Sequence, residues 1–212
     1  MSYMTRERLW LRNVKSGVDY ECSVAAYDED RMVAFTFVGL DDWQGSPAAF
    51  DAGTGIIPDF RGQGIAKQMF EFALPRLRQR GVGTFLLEVL KPNEAAIKAY
   101  TKTGFHPTRE FACYDLIPAN YAAQAMSGPS WEVRDIERVG VQAFAPHCDW
   151  VPSWENSFSG MDRIEDDLCR LGAFSDNQCV GVLVYYPLLS WVMSVVVHPQ
   201  FRRQGVATTL LR

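Results

Sequence analysis

A nine-residue segment occurs twice in this chain, and that repeat constrains the fold more than any other feature. Pro58-Asp59-Phe60-Arg61-Gly62-Gln63-Gly64-Ile65-Ala66 and Pro199-Gln200-Phe201-Arg202-Arg203-Gln204-Gly205-Val206-Ala207 agree at six of nine positions, with Ile65 answered by Val206. Each follows a strand-like run, Gly55-Ile56-Ile57 in one copy and Ser194-Val195-Val196-Val197 in the other. Upstream of each run stands a hairpin pattern. The first is Ser23 to Tyr27, a turn at Asp28-Glu29-Asp30, then Met32 to Val38. The second is Leu171 to Phe174, a turn at Ser175 to Gln178, then Val180 to Val184. Motif and context repeat together, so the 212 residues form two domains of one ancestry.

Between them, Pro118 to Ser130 is mostly small or polar and carries the turn signal Gly128-Pro129, which suits a linker. The boundary is expected near Ser127, giving domains 1–126 and 127–212. The copies differ in completeness. After Gly64 the pattern continues through a helix, a strand and a second helix, whereas the chain stops seven residues after Gly205. Trp131-Glu132-Val133-Arg134 reads as an opening strand of the second copy, with no counterpart ahead of the first. A piece of a longer tandem protein and a natural truncation both fit. The sheet edges left open at the amino end of one copy and the carboxyl end of the other are expected to seek partners, a homodimer among them.

Bulk properties exclude several function classes. A net charge of −4 argues against a nucleic-acid surface, which needs clustered Lys and Arg. The five cysteines are odd in number, widely spaced and free of any Cys-x-x-Cys pair, so neither a disulfide framework nor a zinc site is indicated. His106, His147 and His198 make no ligand pair, and no metal is expected. The amino terminus is charged and lacks the apolar core of a signal peptide, so a cytoplasmic location is expected. Cys179 to Val197 has no charged residue, but Pro187 at its middle and its valine content favour two buried strands joined at Pro187-Leu188-Leu189-Ser190 over a membrane helix.

The repeated segment carries the chemistry. Glycines at 62 and 64 let the backbone turn tightly and approach a bulky group, and a helix follows with Ile65, Met69, Phe70, Ala73, Leu74 and Leu77 on one face and Gly81 at its end. Pro75 within it is expected to kink or shorten the helix. The amides of a helix's first turn lack internal partners, so an anion such as pyrophosphate belongs there, with Arg61 as an additional cation. A Walker loop needs Gly-Lys-Ser or Gly-Lys-Thr, and Gly64 is followed by Ile-Ala-Lys; a dinucleotide fingerprint needs a third glycine where Lys67 stands. Further on, Phe85 to Leu90 reads as a buried strand, Asn93 caps a helix from Glu94 to Thr103, and Gly104-Phe105 stops it. Tyr100 is the reactive side chain on that helix's slim face.

Through Arg61-x-x-Gly64-x-Ala66 and Asn93-x-x-Ala96-x-x-x-Tyr100-x-x-x-Gly104-Phe105, the sequence resembles the GNAT superfamily of N-acetyltransferases, over most of residues 20–115 and again, with the first motif alone, over 131–212. The whole resembles a bacterial tandem GNAT protein. The resemblance implies an α/β fold, a mixed and mostly antiparallel sheet flanked by helices, whose fourth and fifth strands splay apart around the pantetheine of acetyl-coenzyme A. Those strands are expected at 52–57 and 85–90. It implies that the backbone near Ile56 and Ile57 holds the pantetheine, that Arg61, Gly62, Gln63, Gly64, Ile65 and Ala66 hold the pyrophosphate, and that Asn93 and Ala96 line the channel. Val197, Arg202, Arg203, Gln204, Gly205, Val206 and Ala207 are the second copy's equivalents; Arg203 narrows that loop, and no Asn-to-Tyr helix follows.

The implied activity is transfer of acetyl to a primary amine of a small molecule or peptide. An amine must be neutral to attack, and a lysine-like amine has a pKa of about 10.4. Asp51, entering the fourth strand, and Glu88, within the fifth, are the candidate bases, and each also reads as an ordinary hydrogen-bonded carboxylate. Tyr100 matches the position that supplies a proton to the departing thiolate. The acceptor pocket is expected to include a loop from Gly39 to Gly45. The competing reading is a noncatalytic acyl-coenzyme A binding or scaffolding protein.

Overall fold

In the computed structural model, which describes residues 4–116 and 130–212, the chain divides into two compact units, Met1–Phe111 and Ala112–Arg212. The expected boundary near Ser127 lies outside the described residues.

The first unit opens with a helix, α1 (Arg6–Lys15), that the sequence reading passed over as a charged terminus. Its signals are a Thr5 side chain accepting from the Arg8 amide, Glu7 in the first turn, and Arg12 and Lys15 in the last. These charges match the helix dipole at both ends. The sheet then runs β1 (Val24–Asp28), β2 (Arg31–Trp43), β3 (Ser46–Ile56) and β4 (Thr84–Leu87), adjacent in that order. The first three are antiparallel, and β4 joins β3 in parallel after the crossover through α2 (Ile65–Gln79). The helix α3 (Glu94–Lys102) closes the unit's regular structure.

Two expectations need correction here. The loop from Gly39 to Gly45 is not a loop: Gly39 to Trp43 pair with Phe50 to Ser46, and the turn is Gln44 and Gly45 alone, both at positive φ. That is the two-residue hairpin turn whose twist matches the strands, and Asp42 Oδ1 secures it by accepting from the Gly45 amide at 2.8 Å. Of the two effects expected of Pro75, a kink or a shortening, the second does not occur, since α2 runs fifteen residues through it. Ala73 and Leu77, on either side of the proline, are fully buried against Cys22, Val38 and Ala49, and this packing holds the helix across the missing hydrogen bond.

The second unit repeats the hairpin plan with an added strand at its start. Its sheet is β5 (Glu132–Asp135), β6 (Cys169–Ser175), β7 (Gln178–Tyr186) and β8 (Trp191–Val197), all antiparallel. Short helices α4 (Arg138–Gln142) and α5 (Phe158–Asp162) lie between β5 and β6, and α6 (Val206–Leu210) follows the repeated loop. Val206 and Leu210 pack on Ala173, Val180 and Leu183, all buried. The uncharged stretch from Cys179 to Val197 is thus most of β7, a turn of 3-10 helix at Pro187–Leu189, and β8. Among the described residues no helix is long and apolar enough to cross a membrane.

One irregularity is shared by both sheets. In β3 the register slips at Ala52, and in β8 it slips at Met193, each five residues ahead of the equivalent positions Ile57 and His198. A bulge bends its strand and strengthens its twist.

Candidate active site

The bulge sets where the first sheet opens. Asp51 and Leu87 are the last paired residues of β3 and β4, one residue before the bulge at Ala52. Beyond them β3 continues to Ile56 bonded only to β2, while residues 88–90 leave the sheet and are exposed. A fork therefore stands between the two parallel strands. The fifth strand is shorter than expected, since it ends at Leu87, and Glu88 lies outside it on the surface. Asp51 is likewise not at the entrance of a strand but in the middle of an eleven-residue one.

Asp51 is 6% exposed and sits at the base of the fork. Its Oδ1 accepts from the Gly53 amide at 3.1 Å, from Thr54 Oγ1 at 3.0 Å and from Thr36 Oγ1 at 3.4 Å. Its Oδ2 accepts from Thr54 Oγ1 at 2.9 Å and from the Tyr100 hydroxyl at 3.1 Å. Burial pushes its pKa above the ordinary carboxylate value, against the pull of these donors. Tyr100 is pushed up in turn, by its own burial first and then by the neighbouring carboxyl. Its ring is wedged edge-on against Phe70 and Phe105, with centroids 5.9 and 5.8 Å away. The sequence reading named Asp51 and Tyr100 separately, and the fold brings them into contact. Thr36, Gly53 and Thr54 complete the cluster; the one local sign of it in the sequence is a threonine three residues after an aspartate, and Thr36 comes from another strand.

At the far end of the open stretch of β3 the repeated segment begins. A turn of 3-10 helix, Pro58–Phe60, lifts the chain out of the sheet, and Gly62 and Gly64 adopt φ values of 77° and 79°. The amides of Gly62 through Lys67 donate to no acceptor among the described residues, whereas the next one, Gln68, bonds to the Gly64 carbonyl at 3.1 Å. Side chains added at either glycine would project into open space, so the loop presents bare backbone. The first turn of α2 holds no acidic residue and carries Lys67, the reverse of what a helix dipole favours by itself. Both features suit an anion. Arg61 is turned inward in part: its Nε donates to the Ile56 carbonyl at 3.0 Å. Asn93 caps α3 by accepting from the Ala96 amide at 3.3 Å, so both residues are engaged with each other at the helix start.

The second copy reproduces this loop bond for bond. Arg202 Nε donates to the Val197 carbonyl at 3.0 Å, Gln204 Nε2 to the Gln200 carbonyl at 2.9 Å as Gln63 does to Asp59 at 3.1 Å, and the Thr209 amide to the Gly205 carbonyl at 2.9 Å. Arg203 holds the left-handed conformation, φ 61°, that Gly62 holds in the first copy. For a residue with a side chain that conformation costs about 1 to 2 kcal/mol. Two features separate the copies. Val192 stands before the bulge where the first copy has Asp51, so the carboxylate is missing. And a cavity of about 820 Å³ lies along β8 and the loop, walled on its other side by residues 147–150 and Pro152 together with Asn156 and Phe158. Arg202 pins that wall by donating to Asp149 Oδ1 at 2.7 Å and to the His147 carbonyl at 2.8 Å. No sequence pattern pointed to this wall.

Comparison with known proteins agrees with the duplication. The profile of the "Acetyltransferase (GNAT) family" matches residues 2–105 and again 131–212. Among curated proteins, N-alpha-acetyltransferase 30 of Schizosaccharomyces pombe is 33% identical over 86 residues, 40% of this chain and 57% of that protein. The ribosomal protein bS18-alanine N-acetyltransferase of Salmonella typhimurium is 39% identical over 80 residues, 37% of this chain and 50% of that protein. Mycothiol acetyltransferase of Nocardia farcinica is 32% identical over 85 residues, 40% of this chain and 28% of that protein. The chain thus spans well under two thirds of the length of these relatives. Among solved structures, an aminoglycoside N-acetyltransferase in complex with CoA aligns with a TM-score of 0.41 and 23% identity, over 45% of this chain and 75% of that one.

Proposed function

The chain belongs to the Acetyltransferase (GNAT) family, and on that premise we propose that it transfers the acetyl group of acetyl-coenzyme A to a primary amine of a small molecule or peptide, using the fork of its first unit. One observation carries this reading: the open edge of β3 beyond Asp51 runs straight into a loop of unpartnered amides, so one extended ligand with a diphosphate at one end and a reactive acyl group at the other finds both parts of its site in line. The bare Gly64, which Gly205 matches in the second copy, fits that ligand, because a side chain there would project into the space the phosphates need.

In this reading the amides of Gly62 to Ala66 and the first turn of α2 hold the diphosphate, with the free nitrogens of Arg61 beside it. The backbone of Ile56 and Ile57 aligns the pantetheine, and α3 from Asn93 and Ala96 forms the opposite wall. Tyr100 exchanges protons at the reacting centre. Glu88 is left as a secondary candidate at the surface. A curated relative acts, by its name, on a ribosomal protein alanine, so peptides with a free amino terminus are the first acceptors to try.

The second unit favours the noncatalytic alternative for itself. Val197 and Arg202 to Ala207 repeat the loop, and the adjoining cavity has room for an acyl-coenzyme A arm, but Val192 replaces the carboxylate. We assign it a binding role.

Calorimetric titration with coenzyme A, followed by a free-thiol assay against an amine panel, tests the whole. Thiol release that depends on the amine supports transfer, and Gly64→Ala should require at least tenfold more acetyl-coenzyme A to reach the same rate. Binding without release for every amine would leave only the scaffolding reading.

A further inference from the structure

Asp51 has no oxygen to offer an incoming amine. Both carboxylate atoms are buried and taken by the donors Thr36, Gly53, Thr54 and Tyr100, none of which is charged. Any proton that reaches or leaves it passes through one of these four. A backbone amide cannot serve, and aliphatic hydroxyls are far weaker acids than a phenol. Tyr100 is therefore the one route. Because its hydroxyl hydrogen points at Asp51 Oδ2, 3.1 Å away, the lone pairs of its oxygen are turned from the carboxylate. At rest Tyr100 presents an acceptor, where a simple general acid would present a proton.

We propose that Asp51 and Tyr100 act as one proton shuttle, which carries a proton from the acceptor amine to the thioester sulfur, a step that rests on the fork being the transfer centre. As the nitrogen–carbon bond forms, Tyr100 takes a proton from the amine nitrogen and passes its own to Asp51 Oδ2. As the carbon–sulfur bond breaks, Tyr100 gives a proton to the departing sulfur and recovers the one held by Asp51. The neutral amine and the thioester become amide and thiol with no net gain or loss of protons, and the dyad ends as it began. Asp51 acts through Tyr100 and is its positioning residue; Tyr100 alone meets the reactants. The buried setting of Asp51, which lifts its pKa, makes the protonated form accessible within the cycle.

The test has two arms on the full chain. In the first, carboxyl-carbon NMR follows Asp51 through a pH titration, without ligands, in the wild type, Tyr100→Phe and Thr54→Val. Each variant removes a donor to the charged form, so the Asp51 titration should move up from its already raised wild-type position, and the acid limb of the kcat/KM profile in Thr54→Val should move up with it. In the second arm, Asp51→Asn and Tyr100→Phe should each lower kcat roughly a hundredfold, and the double variant should lose no more than the worse single. Losses that multiply in the double variant would mean an independent acid and base and overturn the shuttle. So would an Asp51 that titrates at the ordinary carboxylate value in all three proteins. A wild type that consumes no acetyl-coenzyme A with any amine overturns the transfer reading and the shuttle together, and is told apart by its first line of data.

Discussion

Arg61 Nε donates to the carbonyl oxygen of Ile56 at 3.0 Å, so the last residue of β3 is tied to the loop that leaves it. The bond spans five residues and ties the loop back to the strand end, ahead of the unpartnered amides that begin at Gly62. In the second copy Arg202 and Val197 repeat it at 3.0 Å. The two arginines differ in what else they hold: Arg202 also bridges to Asp149 and His147, whereas the other nitrogens of Arg61 meet no partner among the described residues.

That difference separates structural from ligand-directed effects. Arg202→Ala should destabilise the second unit by about 1 to 3 kcal/mol, because three charge-assisted bonds go with it, less the screening due to partial exposure. Arg61→Ala should cost about 0.5 kcal/mol, the range of an exposed substitution, and show itself instead as weaker coenzyme A binding. Hydrogen exchange of the peptides covering residues 197–204 and 56–63 checks the first point, and calorimetry the second.

Gly64→Ala forces a methyl group onto a backbone at φ 79°, at an expected stability cost of about 1 to 2 kcal/mol. The added carbon meets nothing in the protein, so it does not clash with the fold. It does enter the space above the unpartnered amides. Coenzyme A affinity should fall at least tenfold, or about 1.4 kcal/mol, and titration calorimetry on the folded variant measures it. An unchanged affinity would mean that the phosphates lie elsewhere.

How much of this was readable beforehand depended on the range of the interaction concerned. The duplication, both hairpins, the left-handed glycines at 62 and 64 and the Asn93 cap are local, and each has a short signature that survives without tertiary context. The strand ends do not. Phe85 to Leu90 has the composition of one apolar strand, yet pairing stops at Leu87 because β3 bends at Ala52, on a segment more than thirty residues away in sequence. For the same reason Asp51 read as a residue entering a strand. The contact with Tyr100 joins positions forty-nine apart and has no local sign at all. Residues 39–43 look like a loop because of Asp41 and Asp42; in the structure Asp41 is half-buried and Asp42 exposed near the end of a long strand.

Asp51 carries a stability prediction with a definite sign. Its carboxyl is raised in the folded protein, mainly by burial, relative to its value in the unfolded chain. Such a group favours the folded state most when it is protonated, below the unfolded pKa, and that contribution is lost as pH rises through the folded pKa. Asn has no charge to bury, so it is free of this pH-dependent loss. Denaturation of wild type and Asp51→Asn across this range should therefore show the wild type losing ground to the variant as pH climbs, by about 1.4 kcal/mol for each unit of pKa difference between the two states, and the gap should level off above the folded pKa. A gap that widens in the wild type's favour toward neutral pH would mean that the four donors outweigh burial and hold the carboxylate ionised at rest. Activity moves the other way, since the variant that escapes this loss is the one without a proton acceptor behind Tyr100, and stability given up as pH rises is the expected cost of function here.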